Sequence, residues 1–164
     1  MLSLRNFRVT DINNVYLDWL NNKKLMRYSR HSKTLYDRKK ALNFFKKMKE
    51  ENNFFFLVYL KHTNKKKKIG TLIGYTNKKN KSCNLGILIS EQGKGYGKKA
   101  YKLAINYIFK NGYKTIIGGS LLSNIAMIKI FKNSGMKYIK EKKIYYQNLK
   151  KKRKIVIYKI IKSN

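Results

Sequence analysis

The residues best suited to chemistry lie in one short stretch, Gln92-Gly93-Lys94-Gly95-Tyr96-Gly97, placed between an apolar strand-like run and an apolar helix-like run. A strand that turns through glycines into a helix presents free backbone N–H groups to an anion, with the positive end of the helix dipole behind them. Glycines also let the backbone approach phosphates closely. The ligand implied is a pyrophosphate. A Walker loop is excluded because Lys94 is followed by Gly95 and Lys98 by Lys99, so the hydroxyl that holds Mg²⁺ is missing. A dinucleotide-binding loop needs Gly-x-Gly-x-x-Gly after an early strand of a parallel sheet, whereas these glycines are spaced by two and follow a meander.

A second set of reactive types falls in Met26-Arg27-Tyr28-Ser29-Arg30-His31-Ser32. Histidine titrates in the range useful to a base, and Arg27 and Arg30 flank polar residues as a grip for a phosphate or carboxylate would. The bland readings are an exposed loop histidine and surface arginines. Glu91, Tyr28 and Tyr75 are further proton-handling candidates, set against a loop-end cap and ordinary packing. Trp19, the one tryptophan, shares a helical face with Val15 and Leu20 and reads as core. Cys83 is the only cysteine and the two histidines have no metal-ligand spacing, so neither an intrachain disulfide nor a metal site is expected.

The elements that must position these residues follow from periodicity. A strand is expected near Leu2–Val9, then a helix capped by Thr10 or Asp11, then a helix between about Asp37 and Lys49. Three meander strands follow at 54–60, 69–75 and 83–89. After the glycine loop come a helix ending at Asn111-Gly112, a strand at 115–121, a helix from about Asn124 to Asn133, and two strands at 136–146 and 154–161. The lysine runs Lys65–Lys68 and Lys150–Lys154 read as hairpin loops. No linker or repeat divides the chain, so residues 1–164 form one domain. The fold class is α/β: a mixed, mainly antiparallel sheet of about seven strands flanked by about four helices.

Gln92-Gly93-Lys94-Gly95-Tyr96-Gly97 meets in full the signature Gln/Arg-x-x-Gly-x-Gly/Ala of the GNAT superfamily of N-acetyltransferases, which the chain resembles over nearly its whole length. A second motif agrees: Asn124 opens a helix that ends at Gly135-Met136. Thr10-Asp11 and Tyr16-Leu17-Asp18-Trp19-Leu20-Asn21 resemble the opening of the branch holding ribosomal-protein and amino-sugar acetyltransferases. The resemblance implies a splay between the fourth and fifth strands that takes acetyl-CoA. Its pantetheine arm would bond the backbone of Ile87, Leu88 and Ile89, its pyrophosphate would sit on Gln92 to Gly97, and Asn124 would hold the arm from the other side. The family's usual glutamate base and tyrosine acid fall at Asn84 and Phe131, which cannot exchange protons. The acting groups are then solvent, or a substitute such as His31 or Tyr75.

The charge is extreme: 40 Lys plus Arg against 7 Asp plus Glu, a net +33. Such a surface attracts polyanions, so ribosome or RNA contact is one reading. An AT-rich genome is the other, since Lys, Asn, Ile and Tyr abound and Pro is absent. No apolar run has the length of a membrane span and no signal peptide is visible, so a cytoplasmic protein is expected, monomeric or homodimeric. The acceptor expected first is the amine of an amino-sugar nucleotide or similar small molecule, bound near Arg27, Tyr28 and Arg30. The rivals are a ribosomal-protein N-terminus and a basic CoA-binding or RNA-binding module without catalysis.

Overall fold

The computed structural model describes residues 1–62, 65–146 and 150–163, of His62 the backbone only. One seven-stranded sheet runs through them in the order β1-β2-β3-β4-β5-β7-β6. The strands are β1 (Leu2–Asn6), β2 (Phe54–His62), β3 (Lys65–Asn77), β4 (Ser82–Ile89), β5 (Thr115–Leu121), β6 (Lys137–Tyr146) and β7 (Lys151–Ile161). Every neighbouring pair is antiparallel except β4 with β5. The helices are α1 (Asn14–Asn21), the single turn α2 (Lys23–Met26), α3 (Arg38–Glu50), α4 (Tyr96–Lys110) and α5 (Ile125–Asn133).

Both faces of the sheet are covered, and β2 shows why its sequence is apolar without alternation. Phe55 and Leu57 face α1 and α3, in a core with Tyr16, Trp19, Ala41 and Met48. Phe56, Val58 and Leu60 face the other way, in a core with Ala100, Tyr101, Ala104 and Ile108 of α4 and Phe131 of α5. Trp19 is core, beside Tyr16 and Leu20, whereas Val15, expected on the same face, is exposed.

Two expectations need correction. Asp11 does not cap the first helix; Asn13 does, its side chain accepting from the Tyr16 N–H at 3.2 Å. Asp11 is instead buried in an ion pair with Arg5 and Lys68, at 2.7 and 2.8 Å. The lysine runs are not loops either: Lys65–Lys68 belong to β3, paired with β2, and Lys151–Lys154 belong to β7, paired with β6. Most of these side chains reach solvent near the ends of long hairpins without leaving the ladder, while Lys68 and Arg153 are half-buried. The tips of both hairpins, Thr63-Asn64 and Gln147-Asn148-Leu149, lie outside the described residues.

Candidate active site

The sheet parts where the motifs meet. Strands β4 and β5 pair only at Ser82↔Thr115, Cys83↔Ile116 and Asn84↔Ile117, and then run on separately to Ile89 and Leu121. Backbone groups along such a gap need partners. The buried Tyr101 hydroxyl, from α4, donates to the Leu85 carbonyl at 3.0 Å, the first residue past the last pair. Ile87, Leu88 and Ile89 follow along this edge, half-buried, with Ile87 and Ile89 toward α4 and α5 and Leu88 toward α1 and α3.

The glycine loop closes the gap at one end. Gly93 and Gly95 have φ of 81° and 72°, a left-handed conformation costly for other residues, and a side chain at either would meet no atom within 4 Å. Gly95 is the N-cap of α4 and offers no side-chain cap, so the N–H groups of the first turn are left for an external acceptor. That is the cradle an anion requires. Gln92 and Lys94 are exposed beside it, and Tyr96 and Gly97 are half-buried, with Gly97 against Ile130 of α5. Glu91 precedes the loop and is held by Lys67 and by Lys94, the latter at 2.8 Å. Hydrogen bonds from the two lysines bring its carboxyl down to about 2, so Glu91 is a poor proton acceptor. Across the gap Asn124 caps α5, its carbonyl oxygen accepting from the Met127 N–H at 3.2 Å.

The other face of the splay is a floor with a roof. Register places Tyr75 beside Asn84 and Asn84 beside Ile117, all on the α1 and α3 side of the sheet. Asn84 is exposed and Tyr75 is 43% exposed. Burial raises the Tyr75 phenol, the Glu51 charge adds to this, and Arg30 opposes it. The phenols of Tyr16 and Tyr36 are likewise raised, first by burial; Tyr36 and then Tyr75 add to this at Tyr16, and Tyr75 adds to it at Tyr36. These three phenols act on one another, Tyr75 being the one beside Asn84, and with their proton affinity raised none serves as a base at neutral pH.

The segment between α2 and α3 lies above this floor. The Arg27 guanidinium sits over the Tyr28 ring, 4.7 Å from its centroid, and donates to the Lys24 carbonyl at 2.6 Å. Tyr28 packs against Leu121, Ile155 and the buried Tyr146. His31 is exposed in a turn, its N–H donating to the Ser29 hydroxyl at 3.1 Å. A groove of about 350 Å³ opens beside this cluster, lined by Leu121, Leu122, Ser123, Arg153 and Lys154. Another concavity, about 240 Å³ near Phe45, Asn53 and Tyr107, holds none of these residues.

Tyr16, Tyr36, Tyr146 and Arg153 are the members that sequence reasoning missed. Tyr145 and Tyr146 are adjacent and look alike in sequence; only the register of β6 decides that Tyr146 turns inward. Phe131, in contrast, is fully buried between Tyr101 and Tyr158, and its ring lies 2.3 Å from where a side chain on Gly118 would begin. It fills the core and leaves no proton donor in α5 at that point. Among the described residues no group of His, Cys, Asp or Glu could hold a metal, and no helix is long and apolar enough to cross a membrane.

A family model described as an acetyltransferase (GNAT) domain matches residues 1–137. The chain belongs to the GNAT family of acetyltransferases and is an acyltransferase by class. No protein of curated function matches it. Among solved structures, the spermidine N-acetyltransferase of Vibrio cholerae, in complex with CoA and spermine, superposes with a TM-score of 0.85 at 19% identity, over 98% of this chain and 95% of that one. The ribosomal-protein-alanine N-acetyltransferase of Brucella melitensis gives 0.76 at 14% identity, over 98% and 99%. The Microcin C7 self-immunity acetyltransferase, in complex with acetyl-CoA and AMP, gives 0.82 at 15% identity, over 98% and 92%. These likenesses concern the fold.

Proposed function

We propose that the chain transfers the acetyl group of acetyl-CoA, by direct attack, to the primary amine of a small anionic molecule such as an amino-sugar nucleotide. The observation that carries this is the splay beyond Asn84 and Ile117, which joins the uncapped glycine loop to the tyrosine-lined floor under Arg27 to His31. In this reading the loop N–H groups bind the pyrophosphate, the free edge of Ile87 to Ile89 takes the pantetheine amides, and Asn124 donates its NH₂ to the same arm. The amine nitrogen forms its bond to the thioester carbonyl carbon as the carbon–sulfur bond breaks, and the electron pair leaves with the CoA sulfur, which takes a proton from water. The amine proton leaves through water oriented by Asn84, and the Tyr75 hydroxyl is a neutral donor for developing negative charge. His31, exposed in the turn between α2 and α3, is the base candidate on the acceptor side.

Thiol release should be followed with amino-sugar nucleotides, a ribosomal N-terminal peptide and a polyamine as acceptors. Turnover above hydrolysis with the sugar nucleotides is expected, and tight CoA binding with no turnover on any acceptor would sink the enzymatic reading. The second reading, N-terminal acetylation of a ribosomal protein, draws on the +33 charge, which favours docking on a polyanionic particle, and on the fold shared with the Brucella protein.

A further inference from the structure

Three arginines are tied to carbonyl or carboxylate oxygens of the protein. Arg5 holds Asp11, Arg27 bonds the Lys24 carbonyl under its contact with Tyr28, and Arg38 donates to the Ile12 carbonyl at 3.0 Å. Arg30 and Arg153 take part in none of the ion pairs found among the described residues. They nevertheless converge. Arg153 lies opposite Ile144 in the β6–β7 ladder, which puts it on the same face as Tyr146, and it lines the groove of about 350 Å³. Arg30 comes from the roof segment, two residues beyond Tyr28, which packs on the cluster holding Tyr146; its guanidinium hydrogen-bonds the Tyr146 hydroxyl, and the Arg30 and Arg153 charges both offset the effect of burial on that phenol. Tyr146 is only 4% exposed and is packed against Tyr28, so the hydroxyl is held in place. The one acid of the β6–β7 hairpin, Glu141, sits opposite Val156, on the face that looks toward α4 and α5. It leaves the Tyr146 face without a carboxylate from either strand.

Two guanidinium forks and a fixed hydroxyl, facing a groove with no carboxylate from the strands that line it, call for an external anion. A carboxylate is satisfied by one fork. A phosphate has enough oxygens for two forks and a hydroxyl. We infer that Arg30 and Arg153, together with the Tyr146 hydroxyl, form a phosphate-binding subsite on the acceptor side, so that the amine this enzyme acetylates carries a phosphate. This rests on the acetyltransfer reading above for the identity of the groove.

The test compares one amino sugar offered free, as its phosphate monoester and as its nucleoside diphosphate ester, against the wild type, Arg30→Gln, Arg153→Gln and the double variant. The expected result is a KM at least tenfold lower for a phosphorylated form, with that advantage lost in the double variant while the KM for acetyl-CoA stays unchanged. Whichever ester shows the lower KM tells a terminal phosphate from a bridging one. Tyr146→Phe should lose part of the same advantage. At saturating acetyl-CoA, which occupies the glycine loop, inorganic pyrophosphate should inhibit competitively with the amine. Equal use of the free sugar, a preference for spermidine, or an advantage that survives in the double variant would overturn the subsite. If no amine is acetylated, the acetyltransfer reading fails first. Calorimetric titration of pyrophosphate in the presence of saturating CoA then decides the subsite alone, since equal affinity in wild type and double variant overturns it.

Discussion

At Asp11 the chain buries a carboxylate, its side chain 1% exposed, and meets it with Arg5 at 2.7 Å and Lys68 at 2.8 Å. Burial by itself would raise the carboxyl; the hydrogen bonds from Arg5, Lys68 and the Arg8 N–H reverse this and bring it down to about 2. Because the folded value lies below the ordinary 3.8, the stabilisation is complete above that value and is lost as pH falls from there through about 2. The size is about 2 kcal/mol. Asp11→Asn should therefore lower the urea midpoint at pH 6 and show a shallower acid decline than wild type between pH 4 and 2; parallel decline in both proteins would show that the pair contributes nothing. Sequence placed Asp11 as a helix cap because its partners are 6 and 57 residues away, and local spacing cannot see Lys68. Tyr75 argues in the same way for function. Its raised phenol stays protonated through the neutral range, so Tyr75→Phe is expected to lower kcat about a hundredfold, the lower end of what a positioned donor supplies, with little change in the KM for acetyl-CoA. Unchanged kcat would remove Tyr75 from the chemistry.

Between elements, the decisive relation is how β4, β5 and α4 diverge. The glycine loop was legible in sequence because its physics is local: left-handed φ, no side chain, a helix start. Gly95→Val tests it. The left-handed position costs a β-branched residue more than the roughly 1–2 kcal/mol typical of L-residues, yet no neighbour lies within 4 Å to clash. A modest fall in melting temperature with at least a hundredfold loss of acetyl-CoA affinity is expected, and calorimetry showing intact affinity would refute the placement of the pyrophosphate. Gly118 is the opposite case. A methyl there would begin 2.3 Å from the Phe131 ring, so Gly118→Ala should destabilise by about 1–3 kcal/mol through overpacking between β5 and α5. Nothing in the local sequence of Gly118-Gly119 announces that, since the clash is with a helix that comes later. The lysine-rich arms of β3 and β7 were misread for a related reason. Charge marks solvent, but in a long hairpin solvent can be reached without leaving the ladder.

The whole molecule carries +33 with seven acids, two of which, Asp11 and Glu91, are each held by two basic side chains. The remaining cations have few partners, and the edge strand β6 exposes nearly every residue from Lys137 to Tyr145. Such an edge, rich in lysine, resists pairing with another sheet. The same charge opposes compaction, because like charges repel over about 10 Å at 0.1 M salt and less as salt rises. The melting temperature should therefore climb by several degrees as NaCl goes from 0.02 to 0.5 M, the reverse of what a fold held by surface ion pairs would show. Function and stability then pull apart. If the acceptor is anionic, its KM should rise over the same salt range as steering by the cationic surface is screened, while a polyamine acceptor would bind better as repulsion fades. Measuring melting temperature and acceptor KM along one salt series separates the two effects. A melting temperature that falls with salt would show that the few ion pairs, and not the repulsion among the many unpaired lysines, dominate the electrostatics of this fold.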